Sequence, residues 1–165
     1  MLVRNIHHRT LRASAAQVAP LLDALASPAD NLWPSESWPR MRFDRPLQVG
    51  AKGGHGPIRY FVEAYEPGRR VDFKFTGPRG FNGGHRFEIQ DQDEGSRLIH
   101  TLEMNATGVA AMTWPLIFWH LHDALVEDGL SKAQRFLDEQ PLPVSWSLRV
   151  RFLRRAIAPL TRRSR

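Results

Sequence analysis

The segment that decides the fold is residues 109–139, VAAMTWPLIFWHLHDALVEDGLSKAQRFLDE. At about 3.6 residues per turn, its apolar side chains fall on one side of a helix and its polar side chains on the other. The pattern predicts one long amphipathic helix over Met112–Asp138 whose apolar side faces inward. That apolar side carries Trp114, Phe118, Trp119, Leu125, Val126, Ala133, Phe136 and Leu137.

Two residues interrupt the apolar side of this helix. His122 lies near its centre, and Gly129, two turns further on, removes a side chain from the same side. An imidazole and a gap on a buried face indicate a cavity as much as a packed core. The sequence therefore predicts a pocket beneath the helix, with Gly129 opening space in it. Asp123 and Glu127 fall on the opposite side and are expected to face solvent.

The residues before this helix predict an antiparallel sheet. Ser14 and Gln17 have the spacing of a capping box, which starts a short helix after the first strand. Alternating apolar and polar residues then predict strands separated by turns, of which residues 52–57 form a flexible one. The predicted strands are Leu2–Leu11, Arg40–Asp44, Leu47–Ala51, Ile58–Glu66, Arg69–Thr76, His85–Asp91 and Arg97–Ala106.

Two stretches and the closing helix carry a family resemblance. YFVEAYEPGRRVDFKFT (residues 60–76) and GHRFE (residues 84–88) resemble bacterial members of the START-like, or SRPBCC, superfamily, which includes birch-pollen allergen relatives, polyketide cyclases and lipid-transfer domains. The resemblance covers about residues 2–139. It implies an α+β helix-grip fold, in which a curved antiparallel sheet of about seven strands wraps around a long C-terminal helix. It also implies an apolar cavity for hydrophobic small molecules, without a shared catalytic motif.

Length and composition limit the alternatives. The chain of 165 residues has no cysteine, which excludes disulfides, thiol nucleophiles and cysteine zinc sites. It has no run of about 18 apolar residues and no apolar signal region near its N-terminus, so a cytoplasmic location is expected. The domain is predicted over residues 1–140, with a basic amphipathic tail over residues 141–165. No cofactor is expected.

Three histidines are predicted to face the cavity. Strand parity places His85 and His100 on the inner face, either directly opposite or diagonal to each other, and His122 approaches from the helix. Each is interpreted either as a buried neutral histidine, as a group that orients a ligand or as a general acid or base, whereas no spacing supports a metal site. The predicted ligand-binding residues are Trp33, Trp38, His85, Phe87, His100, Leu102, Phe118, His122 and Leu125.

The tail carries all of the net positive charge. Residues 141–165 contain seven arginines and no acid, whereas the other 16 basic residues are set against 17 acids. From Leu148 onward an apolar helix side lies opposite the arginines, which is typical of contact with an anionic membrane surface. Docking on the protein's own surface, or on a second subunit, explains the same pattern over residues 146–163. No specific nucleic-acid binding is expected.

These observations favour one function and leave two alternatives open. The favoured function is binding of a hydrophobic or aromatic small molecule, including a lipid, between the sheet and the long helix. The first alternative is an enzyme of the polyketide cyclase or dehydratase kind that uses His85, His100 or His122 as general acid or base. The second alternative is a peripheral membrane or interaction module that acts through the basic tail.

Overall fold

A seven-stranded antiparallel sheet and one long helix form the body of the protein. The structure, a computed structural model, describes residues 1–141 and 145–162, with side chains in the last helix as far as residue 156. The strands lie in the order β1-β7-β6-β5-β4-β3-β2. Their bounds are β1 Leu2–Leu11, β2 Arg42–Phe43, β3 Lys52–His55, β4 Ile58–Glu66, β5 Arg70–Gly77, β6 Phe81–Asp91 and β7 Ser96–Ala106.

The helices cover one face of this sheet. The first, α1 (Ala15–Asp23), buries Val18, Leu21 and Leu22, and Gln17 Oε1 accepts the backbone N–H of Ser14 at 2.9 Å, as the capping-box pattern predicts. The long helix runs from Val109 to Phe136 and lies across the inner face of the sheet. It consists of α2 (Val109–Thr113), a π-helical turn and α3 (Trp119–Phe136). The predicted helix-grip fold is confirmed.

The π-helical turn of the long helix, Trp114–Phe118, is a feature that the sequence did not predict. The backbone N–H of Trp119 donates to the Trp114 carbonyl, five residues back, instead of the usual four. Pro115 lacks an N–H and so cannot donate to the regular helical ladder at this point. The turn carries Trp114, which is buried, and Phe118, which is half-buried, into the space between helix and sheet.

One strand prediction is wrong and one strand was missed. Residues 47–51 form a turn, in which the Ala51 N–H donates to the Gln48 carbonyl at 3.0 Å, and β3 instead begins at Lys52. The glycines that suggested a flexible turn instead allow the backbones of neighbouring strands to pair closely. A Cβ on Gly53 would lie 1.9 Å from the Arg42 carbonyl oxygen, and a Cβ on Gly54 would lie 2.0 Å from that of Ile58.

The tail forms a fourth helix, α4 (Leu148–Arg162), which packs against α3. Val150 is buried in the core, and Arg149 Nη2 donates to the Leu116 carbonyl at 2.8 Å. The predicted helix start at Leu148 therefore agrees with the structure. Residues 142–144 and 163–165, and the side chains of residues 157–162, which belong to the predicted tail, lie outside what the structure describes.

Candidate functional site

A cavity of about 770 Å³ lies between the inner face of the sheet and the long helix. This volume is within the range of small-molecule sites, roughly 300–1,000 Å³. Its wall consists mainly of aromatic and aliphatic side chains and also includes histidine imidazoles. Arginines from three parts of the chain also line it. The apolar wall includes Phe75, Phe81, Leu102, Trp114, Phe118, Leu121, Leu125 and Val126.

The structure brings eight of the nine sequence-predicted site residues to this cavity. They are Trp33, Trp38, His85, His100, Leu102, Phe118, His122 and Leu125. Phe87 does not line it. Its ring packs edge-on against His100, with the ring centroids 4.6 Å apart, and only 4% of the residue is exposed. Phe87 therefore supports the His100 ring from within the core.

Gly129 does not open the cavity, and that prediction is wrong. A Cβ on Gly129 would lie 3.0 Å from the Leu32 carbonyl oxygen and 3.5 Å from Pro34 Cδ. The missing side chain lets the segment around residues 32–34 approach the helix closely. Lys132, one turn further along, fixes the same segment by donating to the carbonyls of Asp30 and Trp33 at 3.1 and 2.9 Å.

His85 and His100 form a direct pair in the cavity wall. The strand register places His85 opposite Leu102, so the two histidines are diagonal neighbours, and His85 Nδ1 lies 3.2 Å from His100 Nε2. Phe73 and Phe75 stack on the His85 ring at 4.7 and 5.3 Å. His85 Nε2 and His100 Nδ1 are buried and have no hydrogen-bond partner among the described residues.

Both members of this pair are neutral. Burial lowers the pKa of His85 and of His100 well below the usual value, and the neighbouring histidines lower each further. A hydrogen bond between two neutral imidazoles uses one N–H and one bare nitrogen. The two remaining nitrogens are therefore always one donor and one acceptor, whichever imidazole donates within the pair.

His122 connects the cavity to a polar network between β1 and α3. Its ring lies 5.0 Å from that of His100, and its Nδ1 lies 3.7 Å from Asp123 Oδ1. Burial lowers the pKa of His122. Both ring nitrogens are buried and have no hydrogen-bond partner within the described part of the chain.

The network behind His122 joins the side chains of one strand to those of the helix. His7 Nε2 lies 3.1 Å from Asp123 Oδ1, and His7 Nδ1 lies 2.7 Å from Glu127 Oε1. Arg9 Nη2 donates to Glu127 Oε2 at 2.7 Å. Asp123 and Glu127 thus face β1, which corrects the expectation that they face solvent.

The charges of this network determine its protonation. Burial alone would lower the pKa of His7, but Asp123 and Glu127 outweigh burial and raise it to about 9. Burial would likewise raise the pKa of Asp123, but the neighbouring His122, His7 and Asn5 lower it. At neutral pH the two side chains therefore form an imidazolium–carboxylate pair.

His55 was not predicted from the sequence as a residue of this cavity. His55 lines the cavity, its ring lies 4.6 Å from that of Trp33, and its Nδ1 lies 3.0 Å from the Tyr60 hydroxyl. Burial, with smaller contributions from His122 and Arg59, lowers the pKa of His55 to about 3. Its position in a glycine-rich stretch concealed it, because that stretch suggested a turn and not an inward-facing strand.

The last helix contributes Arg154 to the cavity lining. The guanidinium lies 3.7 Å from the Trp146 ring centroid and 4.7 Å from that of Trp38, and it donates to the Ser37 carbonyl. Both indole N–H groups donate to Asp128 Oδ2, at 2.9 Å from Trp146 and 2.7 Å from Trp38. This cluster joins α4 to α3 and to the segment that contains Trp38.

Among the described side chains of α4, residues 148–156, the apolar side is covered only in part. Val150 is 5% exposed, whereas Leu148 is 82% and Phe152 70% exposed, beside the exposed Arg151 and Arg155. Among the described residues, no helix combines the length and the apolar character that a membrane crossing needs.

Comparison with known proteins identifies the fold. No protein-family model and no curated protein matches the sequence. Among solved structures, CalU16 from Micromonospora echinospora matches with a TM-score of 0.58 and 12% identity over 99% of this chain and 94% of that one. A Thermobifida fusca protein matches at 0.57 and 16%, over 84% and 96% of the two chains. Ara h 8.0201 matches at 0.55 and 10%, over 82% and 99%.

These matches place the chain in a class of folds. Its seven-stranded sheet and long C-terminal helix form the helix-grip fold of the START-like, or SRPBCC, type. At identities of 10–16% the likeness is one of fold. What the cavity binds must therefore be argued from its own residues.

Proposed function

We propose that this protein binds a small, largely hydrophobic molecule in the cavity between the sheet and the long helix. The observation that carries the proposal is the cavity of about 770 Å³, whose mainly apolar wall contains buried imidazole nitrogens that no described residue hydrogen-bonds. Apolar lining with a few polar groups is the usual make-up of small-molecule sites. Helix-grip neighbours of the chain are consistent with such a use of the fold.

The polar groups of the wall define the kind of molecule. A buried donor or acceptor without a partner costs about 1–3 kcal/mol, so a ligand that reaches His85, His100 and His122 gains by hydrogen-bonding them. Because the His85–His100 pair presents one donor and one acceptor, a hydroxyl or carbonyl group on the ligand suits it. An aromatic or polycyclic molecule with such oxygen groups fits this wall better than a saturated hydrocarbon chain.

Native mass spectrometry of the purified full-length protein tests the proposal. We expect a bound molecule, or uptake of anilinonaphthalene sulfonate that quenches the cavity tryptophans. Leu121→Trp places a larger side chain into the cavity lining and should abolish uptake. Leu116→Trp is the matched control, because Leu116 is 58% exposed on the same helix. Equal uptake by both variants would contradict the proposal.

A second candidate function is acid–base catalysis on the bound molecule, of the polyketide cyclase or dehydratase kind. It is favoured by the 3.2 Å contact between His85 and His100 and by Asp123 lying 3.7 Å from His122. Once the bound molecule is identified, its conversion by the wild type and by His122→Leu separates the two functions. A binder keeps most of its affinity, whereas an enzyme that relies on His122 loses roughly 10²–10⁴-fold in rate.

A third candidate is attachment to an anionic membrane through α4. The exposed Leu148 and Phe152 beside Arg151 and Arg155 favour it, since apolar and basic side chains together bind such surfaces. Vesicles that contain phosphatidylserine should retain the full chain at low salt but not a chain that lacks residues 141–165. Phe152→Ser should weaken retention, and no retention of the full chain would exclude this role.

A further inference from the structure

The polar network between β1 and α3 contains an arrangement that hydrogen bonding alone does not explain. One ring nitrogen each from His7 and His122, and one carboxylate oxygen from Asp123, all lie within 4.8 Å of one another. His7 and Asp123 are 116 residues apart, so spacing along the chain could not reveal the group. Two imidazoles and a carboxylate are a donor set suited to zinc and related divalent metals.

The distances between the donor atoms fit a common metal ion. Ligand atoms at about 2.0–2.2 Å from one tetrahedral ion lie roughly 3.3–3.6 Å from each other. His7 Nε2 lies 3.1 Å from Asp123 Oδ1, and His122 Nδ1 lies 3.7 Å from the same oxygen. These two measured distances bracket the expected one, and the ring nitrogens of His7 and His122 lie within 4.8 Å of each other.

The surroundings of His7 orient its ring as the ligand of a metal site is oriented. Its Nδ1 lies 2.7 Å from Glu127 Oε1, and Glu127 Oε2 accepts from Arg9 at 2.7 Å. A histidine that ligates a metal usually donates its other N–H to a carboxylate in this way. With that proton on Nδ1, the lone pair of Nε2 faces a lone pair of Asp123. A cation, either a proton or a metal ion, must lie between them.

His122 supplies an independent observation. Both of its ring nitrogens are buried without a hydrogen-bond partner among the described residues. A buried imidazole in this condition is unfavourable and needs an explanation. Coordination of a metal through Nδ1 satisfies one of these nitrogens, whereas a proton held between His7 and Asp123 satisfies neither.

We propose that His7, His122 and Asp123 bind one divalent transition-metal ion, with zinc as the best match to the donor set. Glu127 and Arg9 hold His7 in place, and Asn5 Nδ2 donates a hydrogen bond to Asp123 Oδ1 at 2.9 Å. Three protein ligands leave a fourth coordination position for water or for a group of a bound molecule. The site adjoins the cavity, because His122 belongs to both.

The experiment is titration of the purified, chelator-treated full-length protein with Zn²⁺ and with Co²⁺. We expect one ion per chain and, for Co²⁺, the intense visible absorption of a four-coordinate site. His122→Ala and the gentler His7→Gln should each weaken Zn²⁺ binding by at least about 10–100-fold, the range found for lost supporting groups. His8→Ala is the matched control, because His8 is exposed on the same strand.

Two outcomes overturn the proposal. One is the absence of stoichiometric Zn²⁺ or Co²⁺ binding by the wild-type chain, which means that a proton alone links His7 to Asp123. The other is binding that His122→Ala and His7→Gln leave as tight as in His8→Ala, which assigns the ion to another part of the chain. Both readouts are independent of the hydrophobic ligand, so they do not depend on the outcome of the uptake experiment.

Discussion

The unpaired nitrogens of His85 and His100 depend on each other. Both imidazoles are neutral and share one hydrogen bond. A ligand that donates to one free nitrogen therefore determines which imidazole donates within the pair, and the charge of the pair does not change. The pair can therefore match either polarity of a single oxygen group. This adaptability suits a binding site, and it equally allows a proton to move between the two rings.

The pair also makes a stability prediction for the ligand-free protein. His85→Leu leaves His100 with no partner in the wall, which should cost about 1–3 kcal/mol in the free energy of unfolding, and His100→Leu should cost a similar amount. The double variant removes both polar groups and should cost clearly less than the sum. Urea unfolding of the four proteins measures this coupling. Additive costs would contradict a shared hydrogen bond.

The periodicity of the sequence correctly predicted the faces on which three of the cavity histidines lie. Strand parity and the helical wheel placed His85, His100 and His122 on faces that the structure brings to one cavity. Parity could not choose between a direct and a diagonal pair, because the register of the hairpin depends on its turn. It also could not reveal His7, whose significance comes from carboxylates on a helix more than a hundred residues away.

At the element scale, a cluster of aromatic and charged groups adds to the contacts that hold α4 against the body. Arg154 lies over Trp146 and Trp38, and both indoles donate to Asp128. A cation over aromatic rings contributes roughly 0.5–2 kcal/mol, more where water is excluded. The contact connects the tail to the cavity, since Arg154 and Trp38 both line it. The helix should therefore influence how quickly a bound molecule leaves.

This contact predicts different effects for two neighbouring arginines. Arg154→Ala should lower the free energy of unfolding by about 1–2 kcal/mol and speed release of a cavity probe, because α4 loses its stacking contact. Arg155→Ala, at an exposed position, should change the free energy of unfolding by no more than about 0.5 kcal/mol. It should leave the release rate of the probe nearly unchanged. Denaturant unfolding and stopped-flow release measure both. Equal behaviour of the two variants would show that the stacking contributes nothing.

The strand β3 and the π-helical turn were not predicted from the sequence, and both for the same physical reason. Lys52–His55 is a strand because Gly53 and Gly54 let neighbouring backbones approach, whereas the glycines alone favour a turn. The π-helical turn at Trp114–Phe118 has an amphipathic pattern like that of the α-helix around it. Close backbone contact and a shifted hydrogen-bond ladder are tertiary features. Neither is encoded in periodicity, so the long helix could be predicted and its irregular turn could not.

At the scale of the whole molecule, the long helix has two different neighbours. Toward the cavity it presents Trp114, Phe118 and Leu125, and toward β1 it presents Asp123 and Glu127. The apolar side leaves room for a ligand, so it contributes less packing than a filled core would. The charged contacts with His7 and Arg9 fix the helix at the edge of the sheet. The stability of the domain should consequently depend on protonation.

Two groups of histidines act in opposite directions with pH. His7 has a pKa raised from 6.5 to about 9, so its contribution is fully present below pH 6.5 and is lost as the pH rises through 9. His55, His85, His100 and His122 have lowered pKa values, so the unfolded chain takes up protons that the folded chain excludes. These four histidines therefore lower the free energy of unfolding as the pH falls below about 6.5.

These opposite effects predict a maximum of stability near pH 6.5–7. Toward alkaline pH, the loss associated with His7 should total about 3 kcal/mol by pH 9–9.5, since each pKa unit corresponds to about 1.4 kcal/mol. His7→Gln should remove this alkaline limb, with lower stability at pH 6.5 and little change up to pH 9, whereas the exposed His8→Gln should keep the wild-type profile. Urea unfolding at half-unit pH intervals in metal-free buffer measures the three curves. If wild type and His7→Gln differ by the same amount at pH 6.5 and at pH 9.5, His7 does not hold its proton against Asp123 and Glu127.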